Sequence, residues 1–185
     1  IMANVEIEED LASKSCVLLV YPREVQFLKE PYAQFWEDSA QQHIVVRKGS
    51  KFHIASLVSE ESLSAPIVLS EAKYEDPFLS DEHEILYAKF SLDLKLLALQ
   101  LSTSEVKVVD LTAGSGAGTG RDWRLRPRAP LLPEGLLWGD HGQGGSQDLV
   151  LVHGRGADLW KVAPAPRGTC KPSRQVDVPG ACVAF

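Results

Sequence analysis

Short apolar runs alternate with polar breaks along most of the chain, and the order of the runs repeats. Four segments end in an aromatic residue, and the first three of them continue into an acidic turn. They are YAQFWED (32–38), ILYAKFSLD (85–93), EGLLWGD (134–140) and ACVAF (181–185). Their aromatic anchors, separated by 54, 48 and 47 residues, are Trp36, Phe90, Trp138 and Phe185. A period of about 45–50 residues is typical of the blades of a β-propeller.

The segments between the anchors predict three further strands in each repeat. A second apolar run follows each acidic turn: HIVVR (43–47), KLLALQ (95–100) and DLVLV (148–152). A third run follows a tight polar connection: KFHIASL (51–57), EVKVVDL (105–111) and ADLWKV (157–162). A weaker outer strand completes the repeat: PIVL (66–69), DWRLR (122–126) and RQVDV (174–178), with EVQFL (24–28) in the same outer position before the first repeat. Four short strands joined by hairpins make one propeller blade.

The pattern therefore predicts an all-β fold, a WD40-like β-propeller with about three blades of four antiparallel strands plus the start of another. The inner runs are nearly continuously apolar, as strands packed on both faces are. The run KLLALQ also permits a helical turn, but it is too short for a stable helix and its counterparts contain Ile and Val. Because three blades cannot close a ring of the usual ~4–8, either further sequence or a partner must cover the open strand edges.

The predicted domain organisation has two parts. Residues 1–23 form an N-terminal leader, and residues 24–185 form the N-terminal part of the propeller domain. The acidic run EIEED (6–10) is typical of a solvated leader. The chain begins with Ile and stops on an apolar run without a closing turn, so we expect a fragment of a longer protein. The total blade count and the oligomeric state are left open by this pattern.

Composition and charge narrow the class of protein. The 185 residues are 44% hydrophobic and 24% charged, which is typical of a globular domain with a real core. The net charge of −6 argues against a general nucleic-acid binder, which needs an excess of Lys and Arg. The three cysteines are odd in number and irregularly spaced, so we interpret them as reduced thiols of a cytoplasmic protein. No apolar run approaches the ~18 residues of a membrane span.

No segment carries a recognisable catalytic, cofactor-binding or metal-binding motif. The glycine-rich stretch TAGSGAGTGR (112–121) lacks both GxGxxG and a GK[ST] ending and leads to a predicted strand, so we interpret it as a flexible insert. The five histidines form no HxH, HxxxH or Cys–His spacing: His43, His53, His83, His141 and His153. We therefore predict a non-enzymatic protein without cofactor or metal. Catalysis by residues distant in the sequence is the alternative.

One basic stretch is a candidate binding surface. RDWRLRPRAP (121–130) holds the arginine group, defined as Arg121, Arg124, Arg126 and Arg128, beside one tryptophan. Such a patch suits an acidic partner surface or anionic lipid head groups, and hence a peripheral membrane contact. The alternative is a rim strand whose arginine stems lie along apolar surface. The charged segment SEAKYEDPFLSDEHE (70–84) is either a solvated loop or a second place for partner contacts.

The run KFSLDLKLLALQ (89–100) resembles the signature of the Mic-like (Bulli) family. The matching residues are Lys89, Phe90, Ser91, Leu92, Lys95, Leu97, Ala98 and Gln100. Other segments follow in the same order: VQF (25–27), FWED (35–38), HIVVR (43–47), GLLW (135–138) and ADLWKV (157–162). The resemblance covers residues 24–185, with its specific part in the central run. The glycine-rich inserts and the missing helical C-terminal half depart from the family pattern.

The resemblance implies a function as well as a fold. Members of this family are the third, non-catalytic subunit of the Mon–Ccz guanine-nucleotide exchange complex, which activates a late-endosomal Rab GTPase. A scaffold propeller in late endosome–lysosome and autophagy traffic is therefore expected, with a Mon–Ccz-type dimer as partner and the Rab GTPase reached indirectly. The expected location is the cytoplasm, peripheral on late endosome and lysosome membranes. The alternative is a coat-like or ciliary-transport propeller with no exchange role.

Overall fold

The computed structural model shows an all-β chain. It describes residues 5–10, 15–20, 23–27, 33–38, 43–56, 67–68, 71–76, 78–79, 83–112, 121–141 and 145–179. All regular elements in this described part are β-strands, which confirms the all-β prediction. They are β1 (Val5–Asp10), β2 (Ser15–Val20), β3 (Arg23–Phe27), β4 (Ala33–Asp38), β5 (His43–Lys48), β6 (Lys51–Ser56), β7 (Ile67–Val68), β8 (Tyr74–Glu75), β9 (Tyr87–Phe90), β10 (Leu96–Ser102), β11 (Glu105–Asp110), β12 (Arg121–Leu125), β13 (Leu131–His141), β14 (Gln147–His153), β15 (Gly156–Ala163) and β16 (Thr169–Asp177).

These strands form four sheets in two compact units. The first unit, Ile1–Glu82, holds the first sheet, in the order β1-β2-β3-β7, and the second sheet, in the order β4-β5-β6-β8. The second unit, His83–Phe185, holds the third sheet, in the order β12-β11-β10-β9, and the fourth sheet, in the order β13-β14-β15-β16. Strand pairing is antiparallel throughout the second, third and fourth sheets. None of these sheets is closed on itself.

The first sheet differs from the sequence prediction. Residues 5–20, which the sequence analysis places in a leader, supply β1 and β2, because VEIEED and SCVLLV pair as adjacent antiparallel strands. The segment EVQFL was predicted as an outer strand, but β3 lies between β2 and β7. Both edges of β3 are hydrogen-bonded to other strands, because β3 pairs antiparallel with β2 and parallel with β7. The domain boundary at residue 23 stays a prediction.

The sequence prediction also assigns the outer strand of the first repeat to the wrong sheet. The apolar segment PIVL supplies β7, whose Ile67 and Val68 pair with Val25 and Gln26 of the first sheet. The edge of the second sheet is instead taken by β8, inside the segment predicted as a charged connection. Phe52 and Tyr74 lie opposite each other there, with ring centroids 5.9 Å apart, so an aromatic contact fixes the short strand.

The three described aromatic anchors hold matching places in the first hairpins of their sheets. Trp36 is opposite Val45, Phe90 is opposite Leu97, and Trp138 is opposite Leu149. Phe90 and Trp138 are buried, whereas Trp36 is only half-buried. The fourth anchor predicted at residue 185 lies outside the described residues.

The core of the second unit is centred on β10. Four consecutive side chains of this strand, from Leu96 to Leu99, are fully buried. Successive side chains of a strand point to opposite faces, so the third sheet is buried on both faces. This agrees with the nearly continuous apolar run from which the strand was predicted. The glycine-rich insert at 112–121 falls mostly outside the described residues.

The hairpin between β14 and β15 shows how a local turn sets a strand register. The turn HGRG (153–156) ends at Gly156, whose φ of +137° favours glycine. A side chain at this position would also collide with the backbone carbonyl of Val176 on β16. Gly156 therefore lets β15 pair with both of its neighbours from its first residue.

Candidate functional site

The contact between the third and fourth sheets organises the second unit. The indole nitrogen of Trp138 donates a hydrogen bond of 3.0 Å to the backbone carbonyl oxygen of Lys89. The backbone N–H of Ala165 donates to a carboxylate oxygen of Asp110 at 2.7 Å, and that of Leu131 donates to the carbonyl oxygen of Thr103 at 2.7 Å. These hydrogen bonds satisfy polar groups in the contact between the third and fourth sheets, and they hold the two sheets together.

The acidic turn between β9 and β10 is a second point of attachment. One carboxylate oxygen of Asp93 accepts hydrogen bonds from the Ser91 hydroxyl, the Lys95 backbone N–H and the Gln147 side-chain amide. Gln147 belongs to the fourth sheet, so this aspartate joins two sheets. Burial raises the pKa of Asp93, but the hydrogen bonds from these three donors outweigh it and hold the pKa below its usual value. Asp93 is therefore a carboxylate at neutral pH and acts as a structural acceptor.

The predicted arginine group does not form a single patch. Alternation along β12 places Arg121 and Arg124 on opposite faces of the third sheet. Arg121 donates a hydrogen bond of 2.7 Å to the carbonyl oxygen of Gly168, which lies in the turn before β16 of the fourth sheet. Arg124 forms an ion pair of 2.7 Å with Glu105 of the neighbouring strand. Arg126 is exposed and has no ionic or hydrogen-bond partner among the described residues.

Arg128 is the member of the group with the most internal partners. Its side chain and backbone N–H both donate to the carboxylate of Asp158, and its guanidinium lies 3.0 Å from Asp177. The hydrogen bond that Arg128 donates to Asp158 is the main cause that raises the pKa of Arg128. The imidazole Nε2 of the fully buried His153 lies 3.5 Å from the same carboxylate. Arg128 thus attaches the connection between β12 and β13 to the fourth sheet.

The charge state of Asp158 follows from these neighbours. Burial raises the pKa of Asp158, but the backbone and side-chain hydrogen bonds from Arg128 outweigh it and lower the pKa below its usual value. Asp158 is therefore ionised at neutral pH and paired. Three of the four predicted binding arginines have an internal partner, so much of their charge is used to hold the second unit together. Their role in partner or lipid binding stays a prediction.

The segment at 70–84 presents an exposed aromatic side chain. The buried Asp76 donates its backbone N–H to the carbonyl oxygen of Ser50 at 2.9 Å, and its carboxylate accepts the N–H of Phe78 at 3.0 Å. Phe78 is 80% exposed, although a free phenyl ring is unfavourable in water. This short turn therefore presents an apolar side chain to solvent, while the role of the segment in partner contacts stays a prediction.

A second basic group was missed by the sequence analysis. Lys161, Lys171 and Arg174 are exposed and have no ionic or hydrogen-bond partner within the described part of the chain. The stretch from 159 to 176 contains four basic residues and no acidic one. That local imbalance is the signal that would have identified the group. The arginine group is more conspicuous in the sequence because its charges lie closer together.

Three further observations concern the reactivity and the possible ligands of the described residues. Burial raises the pKa of the Cys170 thiol to about 12, so this cysteine is a poor nucleophile at neutral pH. Among the described residues, no three His, Cys, Asp or Glu side chains are placed to hold a metal ion. The described part also contains no helix long and apolar enough to cross a membrane.

Comparison of the chain with models of protein families, with curated proteins and with solved structures gives no match. These comparisons therefore neither add to the Mic-like resemblance nor replace it. The interpretation of the candidate surfaces depends on the sequence pattern and the geometry described above.

Proposed function

We propose that the chain is a non-catalytic interaction scaffold, part of a WD40-like β-propeller. The observation that carries this proposal is the structural repeat. Three hairpins place an aromatic anchor opposite the same position of the second strand, and each continues into a four-stranded antiparallel sheet. Repeated sheets of this kind, stacked face to face as the third and fourth sheets are, supply surfaces and edges for partner proteins.

The sequence resemblance supports a more specific role as the Mic-like subunit of a Mon–Ccz-type exchange complex. In this role the partner dimer acts on a late-endosomal Rab GTPase, and the propeller supports the complex on late endosome and lysosome membranes. The central run of the resemblance forms β9, its acidic turn and β10. Phe90, Ser91 and Leu97 from that run are fully buried, so their side chains have structural roles. Partner binding then belongs to exposed residues elsewhere.

Phe78 is the exposed residue best suited to a partner contact. The hydrogen-bonded turn fixes the backbone of Phe78, so less backbone entropy is lost when a partner covers the exposed ring. The acidic residues Glu71 and Glu75 of the same segment suit a partner surface with basic groups.

A reconstitution with a purified Mon–Ccz-type dimer and its Rab GTPase tests the proposal. The chain alone should not accelerate release of a fluorescent guanine nucleotide, and it should co-elute with the dimer in gel filtration. Phe78→Ser should weaken co-elution by about tenfold or more, as loss of a buried aromatic contact does. Leu86→Ser, on an exposed leucine of the second unit, is the matched control and should bind normally.

Two results would overturn this function. Nucleotide release by the chain alone would make it catalytic. Failure of the folded chain to bind the dimer would remove the Mic-like role, and binding to a coat or ciliary-transport subunit in its place would establish the alternative.

A further inference from the structure

Strand β16 is the exposed edge strand of the fourth sheet. Among the described residues it pairs with β15 alone, so its other edge has no strand partner there. Seven of its nine residues are exposed, and the other two, Cys170 and Val176, are half-buried. A strand with so little burial is held mainly by its hydrogen bonds to β15, so it opens locally at low cost. The strand is therefore accessible to a modifying enzyme that binds its substrate as an extended segment.

Ser173 occupies a bulge in this strand. Leu159 of β15 lies opposite Arg174, whereas the next residue, Trp160, lies opposite Pro172. The register shift between these two pairs leaves Ser173 without a residue opposite it. Ser173 is exposed, and its hydroxyl group has no hydrogen-bond partner within the described part of the chain. The hydroxyl of this serine is therefore not committed to the fold.

The charges around Ser173 suit a phosphate group. Lys171 and Arg174 flank it in the strand, and both are exposed without an ionic partner among the described residues. Lys161 of β15 lies opposite Lys171, and two like charges in this position destabilise a sheet. One carboxylate lies in the same row, because Asp148 of β14 is opposite Lys161 on its other side. It offsets one of the three cations, so positive charge remains in excess beside Ser173.

The sequence around Ser173 has the charge pattern of a basic kinase substrate. The stretch from 159 to 176 contains four basic residues and no acidic one. The nearest acidic residue of β16, Asp177, lies 3.0 Å from the guanidinium of Arg128 and is paired with it. Enzymes that select basic substrates do so with complementary acidic surfaces, which repel acidic segments. The flanks of Ser173 therefore favour a basophilic kinase over an acidophilic one.

We propose that Ser173 is a phosphorylation site for a basophilic serine kinase that uses ATP. The hydroxyl oxygen of Ser173 attacks the γ-phosphorus of ATP, the bond from this phosphorus to the bridging oxygen of ADP breaks, and the hydroxyl proton passes to the catalytic aspartate of the kinase. The products are phosphoserine and ADP.

The phosphate changes the charge balance of the edge strand. It carries about −1.5 to −2 charges at neutral pH. It pairs with Lys171 and Arg174, and it reduces the repulsion between Lys171 and Lys161. Phosphorylation therefore holds β16 more firmly on the fourth sheet. This inference does not depend on the Mon–Ccz role.

Incubation of the purified chain with ATP and purified kinases tests the site. Cyclic-AMP-dependent kinase or protein kinase C, which are basophilic, should transfer a phosphate that tandem mass spectrometry locates on Ser173. Casein kinase 2, which is acidophilic, should leave Ser173 unmodified. The variant Lys171→Glu, Arg174→Glu should lower the initial rate of transfer by about tenfold or more. Arg126→Glu, which changes an exposed cation outside β16, is the matched control and should be modified like the wild type.

Melting curves of the chain with phosphoserine incorporated at position 173 test the predicted pairing. The melting temperature should exceed that of the unmodified chain at about 50 mM salt, and the gain should shrink at about 500 mM salt, because screening weakens exposed charge pairs. In the variant Lys171→Gln, Arg174→Gln the gain should be absent. Circular dichroism establishes that each variant is folded.

Three results would overturn the proposal. Ser173 left unmodified by both basophilic kinases, or modified equally well in the folded Lys171→Glu, Arg174→Glu variant, would contradict the site and its recognition. A melting temperature that phosphoserine leaves unchanged or lowers would contradict the pairing of the phosphate with Lys171 and Arg174.

Discussion

The indole of Trp138 is hydrogen-bonded to the backbone carbonyl of Lys89, and this bond of 3.0 Å connects the first strands of two neighbouring sheets. Both partners come from the repeated hairpin, since Lys89 immediately precedes the anchor Phe90 and Trp138 is the next anchor along the chain. An aromatic anchor here has a second role beyond filling the core. It also satisfies a buried carbonyl group of the preceding sheet.

Trp138→Phe should therefore destabilise the chain by about 1–3 kcal/mol, because the Lys89 carbonyl loses its donor in a buried place. Chemical denaturation followed by circular dichroism measures this change. Trp123→Phe is the matched control, since this half-buried indole has no hydrogen-bond partner among the described residues, and it should change stability by ~0.5 kcal/mol or less. Equal losses in the two variants would show that the bond to Lys89 contributes nothing.

Leu97→Ala should reduce the free energy of unfolding by about 2–5 kcal/mol, because it leaves a cavity in the fully buried centre of β10. Leu137→Ala removes the same atoms from a side chain that is 42% exposed, so its effect should be much smaller. An unchanged denaturation midpoint for Leu97→Ala would contradict the observed register.

Acid should lower the free energy of unfolding of the chain, and Asp93 should account for part of this loss. The folded-state pKa of Asp93 lies below its ordinary value of about 3.9, so its stabilising contribution is complete above that value and is lost as the pH falls through the folded pKa. The difference in unfolding free energy between wild type and Asp93→Asn should therefore be constant above about pH 5 and shrink as the pH falls from about 4 towards about 2. A difference that grows as the pH falls would contradict the assigned hydrogen bonds.

Arg128→Ala should lower the melting temperature, because it removes the donor shared by Asp158 and Asp177 and leaves the carboxylate of Asp158 without its main partner. Arg126→Ala should leave the melting temperature unchanged, since this exposed arginine has no partner among the described residues. Differential scanning calorimetry compares the two. Identical melting curves would show that Arg128 behaves as an ordinary surface arginine.

Much of the fold is readable in the sequence where strands that pair are also neighbours in the chain. The runs at 95–100, 105–111 and 157–162 lie within a residue or two of the observed strands, because apolar alternation and the polar turns between them are local signals. The pairing of β7 with β3 was missed because nothing in either segment records a partner some forty residues away. Long-range pairing is decided by the fold as a whole.

The candidate surface was less predictable for a related reason. The clustering of Arg121 and Arg128 in the sequence suggested exposed charge, but their acceptors, Gly168 and Asp158, lie 47 and 30 residues further along the chain. The exposed charge is found instead on β15 and β16, where Lys161 and Lys171 face each other only after strand pairing. A sequence shows which residues are charged, whereas exposure depends on tertiary neighbours.

The parallel pairing of β7 with β3 has a consequence for the order in which the protein is made. The strand that completes the first sheet, β7, is synthesised after β4, β5 and β6. The first sheet therefore cannot be completed before these strands of the second sheet have been made. The third and fourth sheets each consist of strands consecutive in the chain, and each can form as soon as its own residues are synthesised. Until β7 has been synthesised, the β7-facing edge of β3 has no strand partner, and an unpaired strand edge can pair with another chain.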